Sequence, residues 1–433
     1  PWQKIAYYFA FLPMLYTSLD VLCPKIFDTT LGLVLYNWLS VAQIAEITGV
    51  FGLTVPVLLS NIALALLVLQ YSRKLKDKVT FDLPSPVHAA GAQAIAFVTL
   101  MILHFWGAGR IEQLKELEKT FSTQSPVSII QANIGDIDKV SAEKGFEDAV
   151  QQVLSTYQEM TMQAVKEHNP HMVVWPETAY PFVYTHLANK DANAAGTARD
   201  QWMIDFFQKV NSSLFFGGYS MLGSRDFNTA FLLLPPKFMA GEYKKSILMP
   251  FGEYVPLGPL GDVVKSYIPA IADFGRGNGP VAWDFGTIKI APQICYEGII
   301  PSHARESALL GADLIVNITN DSWFGRSTEP WLHLLLTVFR TIETRRPMIR
   351  ATNTGISAFI GRTGEIEAST KTFEKTILTH TLKFPLEKQK EDSLLNPFYL
   401  RYGSVFNLFS VSFVAACLLV LGSAMLMNRR KTV

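Results

Sequence analysis

The chain has 433 residues, of which 49% are hydrophobic, 12% aromatic and only 17% charged, with a mean hydropathy of +0.20. Soluble domains carry about 25% charged residues, so this chain is short of charge, and 38 Lys+Arg against 37 Asp+Glu remove any general electrostatic case for nucleic-acid binding. Three cysteines exclude a disulfide scaffold, and ordinary Gly and Pro usage excludes collagen-like or disordered chains.

The apolar excess is concentrated. No Asp, Glu, Lys or Arg occurs from Ile47 to Ser72, from Val87 to Gly109 or from Tyr402 to Asn428. Each run exceeds the roughly 20 residues that a helix needs to cross a bilayer. Residues 1–110 therefore read as an N-terminal transmembrane region with spans near 5–22, 51–71 and 89–106. The first is the weakest, because Pro13 and Asp20 interrupt it. Residues 404–428 read as a C-terminal transmembrane helix. Lys4, the connector residues Arg73, Lys74, Lys76 and Lys78, and the terminal Arg429-Arg430-Lys431 mark the cytoplasmic side. The intervening region is then extracytoplasmic, with Arg110 and Lys115 as outer flanking charges.

From Val127 onward, β-rich runs alternate with helical stretches. Strands are expected at Val127–Gln131, Met172–Trp175, Leu214–Tyr219, Thr229–Leu234, Ile288–Ile294, Leu314–Ile318 and Ser357–Ile360. Helices are expected at Ala142–Glu167, 195–210, 299–311 and 328–344. This alternation predicts an α/β domain over residues 126–385, inserted between transmembrane helices. The polar stretch 386–403 reads as a linker, and no sequence repeat is visible.

Three residues stand at the edges of predicted strands. Glu177, in Trp175-Pro176-Glu177-Thr178-Ala179, follows a strand that Pro176 stops. Lys245 ends a pair of lysines that runs into an apolar stretch, with Pro250-Phe251-Gly252-Glu253 beyond. Cys295 closes the run Ile288–Ile294 and precedes Tyr296-Glu297 and a helical stretch, where a helix N-terminus would favour a thiolate. Taken singly, each has a plain structural reading: a surface glutamate, a solvated lysine and a buried filler cysteine. No histidine sits in a strand-end motif; His333 is the least unsuitable base of that type. No set of residues has zinc-like spacing.

In this order the three residues resemble the Glu-Lys-Cys triad of the nitrilase (carbon–nitrogen hydrolase) superfamily, and within it the apolipoprotein N-acyltransferase family. Asn320-Asp321-Ser322-Trp323-Phe324-Gly325, the run of Arg340, Glu343, Arg346, Arg350, Asn353 and Gly355, and Ala45-Glu46-Ile47-Thr48-Gly49-Val50-Phe51-Gly52 extend the resemblance over nearly the whole chain. It departs at Gln131-Ala132-Asn133-Ile134, which no Trp follows before Val174, and at Leu332, where Gln is common.

The resemblance implies a nitrilase-like αββα sandwich in a multi-pass protein of the bacterial inner membrane, its catalytic domain on the periplasmic side. It also implies an even number of further spans ahead of Pro1. Glu177 would be the general base, Lys245 the oxyanion stabiliser and Cys295 the nucleophile, with Glu253, Tyr296 and Glu297 in support. No cofactor or metal is implied. The partners would be a phospholipid acyl donor such as phosphatidylethanolamine, a diacylglyceryl apolipoprotein acceptor and the lipid bilayer. The apolar loop Met249–Ile271 would admit acyl chains. The same triad would also serve a membrane-tethered amidase acting on a small C–N substrate, and an inactive homologue would retain the same sequence pattern.

Overall fold

The computed structural model describes residues 7–72, 85–135, 141–184, 194–235, 239–258, 267 and 273–431. Lys4, the basic connector residues 73–78 and most of the apolar loop beyond Gly258 lie outside the described residues. The chain divides into one unit of Pro1–Lys115 with Asn396–Val433 and a second of Glu116–Leu395.

In the first unit, three helices among the described residues are long and apolar enough to cross a membrane: Val50–Tyr71, Pro86–Lys119 and Val405–Met425. The segment expected as a first span is a π-helical turn, Tyr7–Phe11, running into the helix Leu12–Leu22. The second helix continues well past the span expected at 89–106, because Arg110–Lys119 is rich in strong helix formers and holds neither Gly nor Pro. Arg110 is more than a flanking charge. Its Nε and Nη2 donate to the two oxygens of Glu46 at 2.8 and 3.1 Å, neutralising a carboxylate that is 4% exposed. Gly49, at φ +69°, caps the short helix Ala45–Thr48, and a Cβ there would lie 2.6 Å from the Tyr399 ring.

The second unit is an αββα sandwich. One sheet has the order β12-β1-β2-β3-β4-β5 and the other β11-β10-β9-β8-β7-β6. The strands are β1 Thr123–Gln131, β2 Met172–Val174, β3 Ser213–Leu222, β4 Arg225–Leu233, β5 Gly241–Lys244, β6 Trp283–Phe285, β7 Ile288–Ile294, β8 Leu314–Thr319, β9 Met348–Thr352, β10 Ala358–Ile360, β11 Ile366–Ser369 and β12 Thr376–Phe384. β1, β2 and β3 are parallel, as are β7, β8 and β9, and antiparallel hairpins follow each trio. The topology thus repeats although the sequence does not.

Inward residues of both sheets, among them Val127, Ile129, Phe215, Ile290, Val316 and Phe359, form one buried layer between them. The outer face of the first sheet packs against the helices Glu147–His168 and Ala194–Lys209. Val150, Val153, Leu154, Tyr157 and Met160 give the former its apolar stripe, and Asn169 at φ +43° ends it. This helix starts five residues later than expected, since Gly145 at φ +82° separates it from a single turn at 141–143.

Five strands have no counterpart among those expected. β5, β6 and β11 are edge strands of only three or four residues, too short for a periodic pattern. β9 carries Arg350 in mid-strand, and β12 becomes a strand by pairing along β1. The stretch 386–403 holds a 3-10 turn, Glu387–Gln389, and the short helix Phe398–Tyr402.

Candidate active site

In sheets with parallel centres, reactive groups gather beyond the carboxyl ends of the strands. Glu177 follows β2, Cys295 follows β7 and Asn320 follows β8; Lys245 follows β5.

The Glu177 turn is built on β3. Trp175 N donates to Phe215 O and Gly217 N to Pro176 O, at 2.8 and 3.2 Å. Thr178 turns back at φ +51°. Any side chain at 217 would collide with this turn: a Cβ would lie 2.7 Å from Glu177 Cα and from Thr178 N. The glutamate itself is buried. Asn228 Nδ2 on β4 donates to its Oε1 at 2.7 Å, and Asn320 N donates to Oε2 at 2.9 Å. A surface glutamate would be free to rotate; this one is aimed.

Lys245 is 1% exposed, with Nζ 2.8 Å from both Glu253 oxygens and 3.9 Å from Glu177 Oε1. Burial acts against its charge, but the negative charge of Cys295 whenever its sulfur is ionised, and the carboxylates of Glu253 and Glu177, outweigh burial and raise its pKa. Glu253 is delivered by a tight turn with Phe251 at φ +62°, and Met249 N donates to its Oε2 at 2.8 Å. Asn228 Nδ2 also reaches Glu253 Oε1 at 3.3 Å, so one amide bridges both carboxylates.

Cys295 sits at φ +52°, a left-handed conformation costing a non-glycine residue about 1–2 kcal/mol. The turn is held from below. Asn317 Nδ2 donates to Cys295 O at 3.2 Å, and Arg350 Nη1 donates to Asn317 Oδ1 at 3.1 Å. Arg350 Nη2 also donates to Asp321 Oδ2 at 2.8 Å, while His333 Nδ1 faces Asp321 Oδ1 at 3.1 Å. Burial, then Glu177, push the Cys295 thiol up to about 12, against the opposing pull of Lys245. Two carboxylates and desolvation thus outweigh one ammonium and any pull of the following turn toward a thiolate, and the sulfur is held as a thiol. Such a sulfur needs a base at the moment of attack. His333 comes near through the Cys295 main chain, and burial lowers its pKa.

Tyr296 and Glu297 occupy the 3-10 turn Cys295–Ile299, both buried. Glu297 Oε1 accepts from Ser246 N, Ile247 N and Tyr243 OH at 2.7, 3.0 and 2.6 Å. The structure thus gathers Glu177, Lys245, Cys295 and Glu253 at one site and places Glu297 beneath it.

Asn228 and Asn317 were not singled out from sequence, and Asn320 entered only as the first residue of a run that extends the resemblance, with no role in the site. The one available signal is an amide within or directly after the apolar strand β8 for Asn317 and Asn320; Asn228 lies among the polar residues that open β4 and has no such mark. Asp321, Glu329 and His333 also bring possible ligand atoms within 4.8 Å of one another, a convergence that spacing did not reveal. The Arg350 guanidinium on Asp321 opposes a cation there.

Residues 127–390 match the carbon-nitrogen hydrolase family model. The chain is 32% identical over 371 residues to the apolipoprotein N-acyltransferase of Bdellovibrio bacteriovorus, covering 82% of this chain and 63% of that protein. It is 32% identical over 377 residues to that of Geobacter metallireducens, covering 87% and 66%. It thus spans just under two thirds of the length of these relatives. A solved carbon-nitrogen hydrolase from Helicobacter pylori G27 aligns at 18% identity with a TM-score of 0.47, covering 65% of this chain and 95% of that one.

Proposed function

The chain belongs to the carbon–nitrogen hydrolase family, and from that premise we propose that it is a membrane N-acyltransferase that completes lipoprotein maturation. Its relatives carry the name apolipoprotein N-acyltransferase. The observation that carries the chemistry is the buried cluster itself: a carboxylate held by Asn228 and Asn320 N beside an ammonium and a protonated thiol.

In the first step Glu177 takes the thiol proton as Sγ attacks the acyl ester carbonyl of a phospholipid. Lys245 faces the developing oxyanion. The ester C–O bond breaks, the proton passes from Glu177 to the departing alkoxide, and a lysophospholipid leaves an S-acyl Cys295. In the second step the α-amino group of a diacylglyceryl cysteine attacks the thioester. Glu177 accepts its proton and returns it to sulfur as the C–S bond breaks, leaving an amide. Glu253 keeps Lys245 in place. The three span-length helices suit a lipid donor, and the charge pattern of the loops supports an inner-membrane protein with this domain on the periplasmic side.

The test is incubation of the full chain in proteoliposomes with phosphatidylethanolamine labelled in the acyl chain. Label that is released by hydroxylamine and absent from Cys295→Ala supports the reading. Absence of label from the unsubstituted protein, with turnover of a small amide, would make it an amidase instead.

A further inference from the structure

A cavity of about 350 Å³ opens next to the triad, and nothing in the proposed chemistry uses it. It is lined by Pro181, Phe182, Val183, Tyr219 and Phe274 together with Glu143 and Asp226, the last two exposed to solvent. The Tyr219 and Phe274 rings stack at 5.8 Å with 17° between planes, and Tyr219 OH donates to Glu143 Oε1 at 3.1 Å. No Lys or Arg is among the described residues that line it.

Strand register fixes the distance to the chemistry. Tyr219 on β3 lies directly opposite Asn228 on β4, and opposed residues share a face. Asp226, two residues before Asn228, is on that same face. Asn228 is the amide that bridges Glu177 and Glu253. Phe274 is tied back to the site as well: its N–H donates to Glu253 O at 3.4 Å, and Gly275 N donates to Asp226 O at 2.8 Å. A residue lining the cavity, Tyr219, is therefore the cross-strand neighbour of the amide that holds Glu177, which handles the proton, and Glu253, which holds Lys245.

Two carboxylates and stacked aromatic faces, without a cation among them, make a receptor for a positive charge. Burial and the charges of Glu143, Glu177 and Glu253 push the Tyr219 hydroxyl well above its ordinary pKa, so it remains a neutral polar group in the wall.

We propose that this cavity binds a primary ammonium group, held between the Glu143 and Asp226 carboxylates and the Tyr219 and Phe274 rings. The inference rests on the acyl-transfer reading for its ligand, because both substrates of that reaction carry this chemistry: an ethanolamine headgroup on the donor and the α-amino group on the acceptor.

The experiment compares the full-length protein with Asp226→Asn, Glu143→Gln and the double variant in two half-reactions. Thioester formation on Cys295 is measured from phosphatidylethanolamine and from phosphatidylglycerol. The thioester is then resolved with a diacylglyceryl-cysteine peptide. If the cavity holds the donor headgroup, the phosphatidylethanolamine to phosphatidylglycerol rate ratio falls at least about tenfold in the double variant, the scale of losing a charged hydrogen bond. If it holds the acceptor, that ratio keeps its unsubstituted value and the peptide KM rises by a similar factor. A double variant with both quantities unaltered overturns the proposal. Should the unsubstituted protein form no thioester from either lipid, the acyl-transfer reading falls, and ethanolamine binding decides for the cavity alone. Calorimetric preference for ethanolamine over ethylene glycol that the double variant loses supports it, and equal binding of the two overturns it.

Discussion

Glu297 and Ser246 lie 51 positions apart, and the carboxylate of the first accepts the backbone N–H of the second at 2.7 Å. The other Glu297 oxygen accepts Ile294 N at 2.8 Å. One fully buried side chain therefore ties the residue after Lys245 to the residue before Cys295. Glutamine cannot reproduce this, since one of its two positions becomes a donor facing a donor. Glu297→Gln should lower stability by about 2–4 kcal/mol, read by thermal unfolding. Thioester formation should fall even at temperatures where the variant is folded.

Glu177 raises the pKa of Cys295, yet it is the residue proposed to deprotonate it. The two effects pull a Glu177→Gln variant in opposite directions. Removing the charge lowers the thiol pKa, so iodoacetamide labels Cys295 faster at pH 8, in a background where Cys23 and Cys417 are serine. Acyl transfer should drop by about 10²–10⁴-fold. Acyl transfer retained at the unsubstituted rate would mean that Glu177 is not the base.

In the protein with Glu177 intact, the thiol at about 12 sets the alkylation profile. The labelling rate of Cys295 should climb about tenfold per pH unit from pH 8 to 10 without levelling off. A plateau near pH 9 would show an ordinary thiol.

Gly217→Ala places a methyl 2.7 Å from the Glu177 main chain. The near atoms are all main chain of residues 176–178, not the flexible end of a side chain, so the Glu177 turn must shift. A destabilisation of about 1–3 kcal/mol is expected. The thioester rate should fall about 10²-fold, because a misplaced base acts poorly.

Asp321 is buried, which acts to raise its pKa, but Arg350 and His333 outweigh burial and hold it at about 2. A depressed carboxylate pKa contributes stability that is present above its unfolded value and lost as pH falls toward 2. Asp321→Asn should therefore cost about 3–5 kcal/mol at pH 7 by stranding Arg350. The gap to the unsubstituted protein should narrow between pH 4 and pH 2. Urea titrations across that range measure it.

Much of the architecture was legible because burial writes itself into periodicity. Charge-free runs marked the span-length helices, and β-branched runs such as Ile288–Ile294 marked central strands whose neighbours bury both faces. Edge strands were illegible for the converse reason. β12 becomes a strand by pairing with β1 from Gln131↔Thr376 to Thr123↔Phe384, a partnership no local window contains. β9 was hidden by Arg350, whose charge is tolerable in a sheet only because Asn317 and Asp321 receive it.

Composition and patterning by themselves located the apolar runs and the alternation of β-rich and helical stretches, since these depend on residue type along the chain, while the resemblance lifted Glu177, Lys245 and Cys295 above their plain structural readings. Tertiary structure alone decided that Cys295 rests as a thiol, that Asn228 joins Glu177 to Glu253, and that Arg110 neutralises Glu46. Each of these is set by distance in a low-dielectric interior, where a few ångströms outweigh intrinsic pKa values, and sequence separation carries no information about such distances.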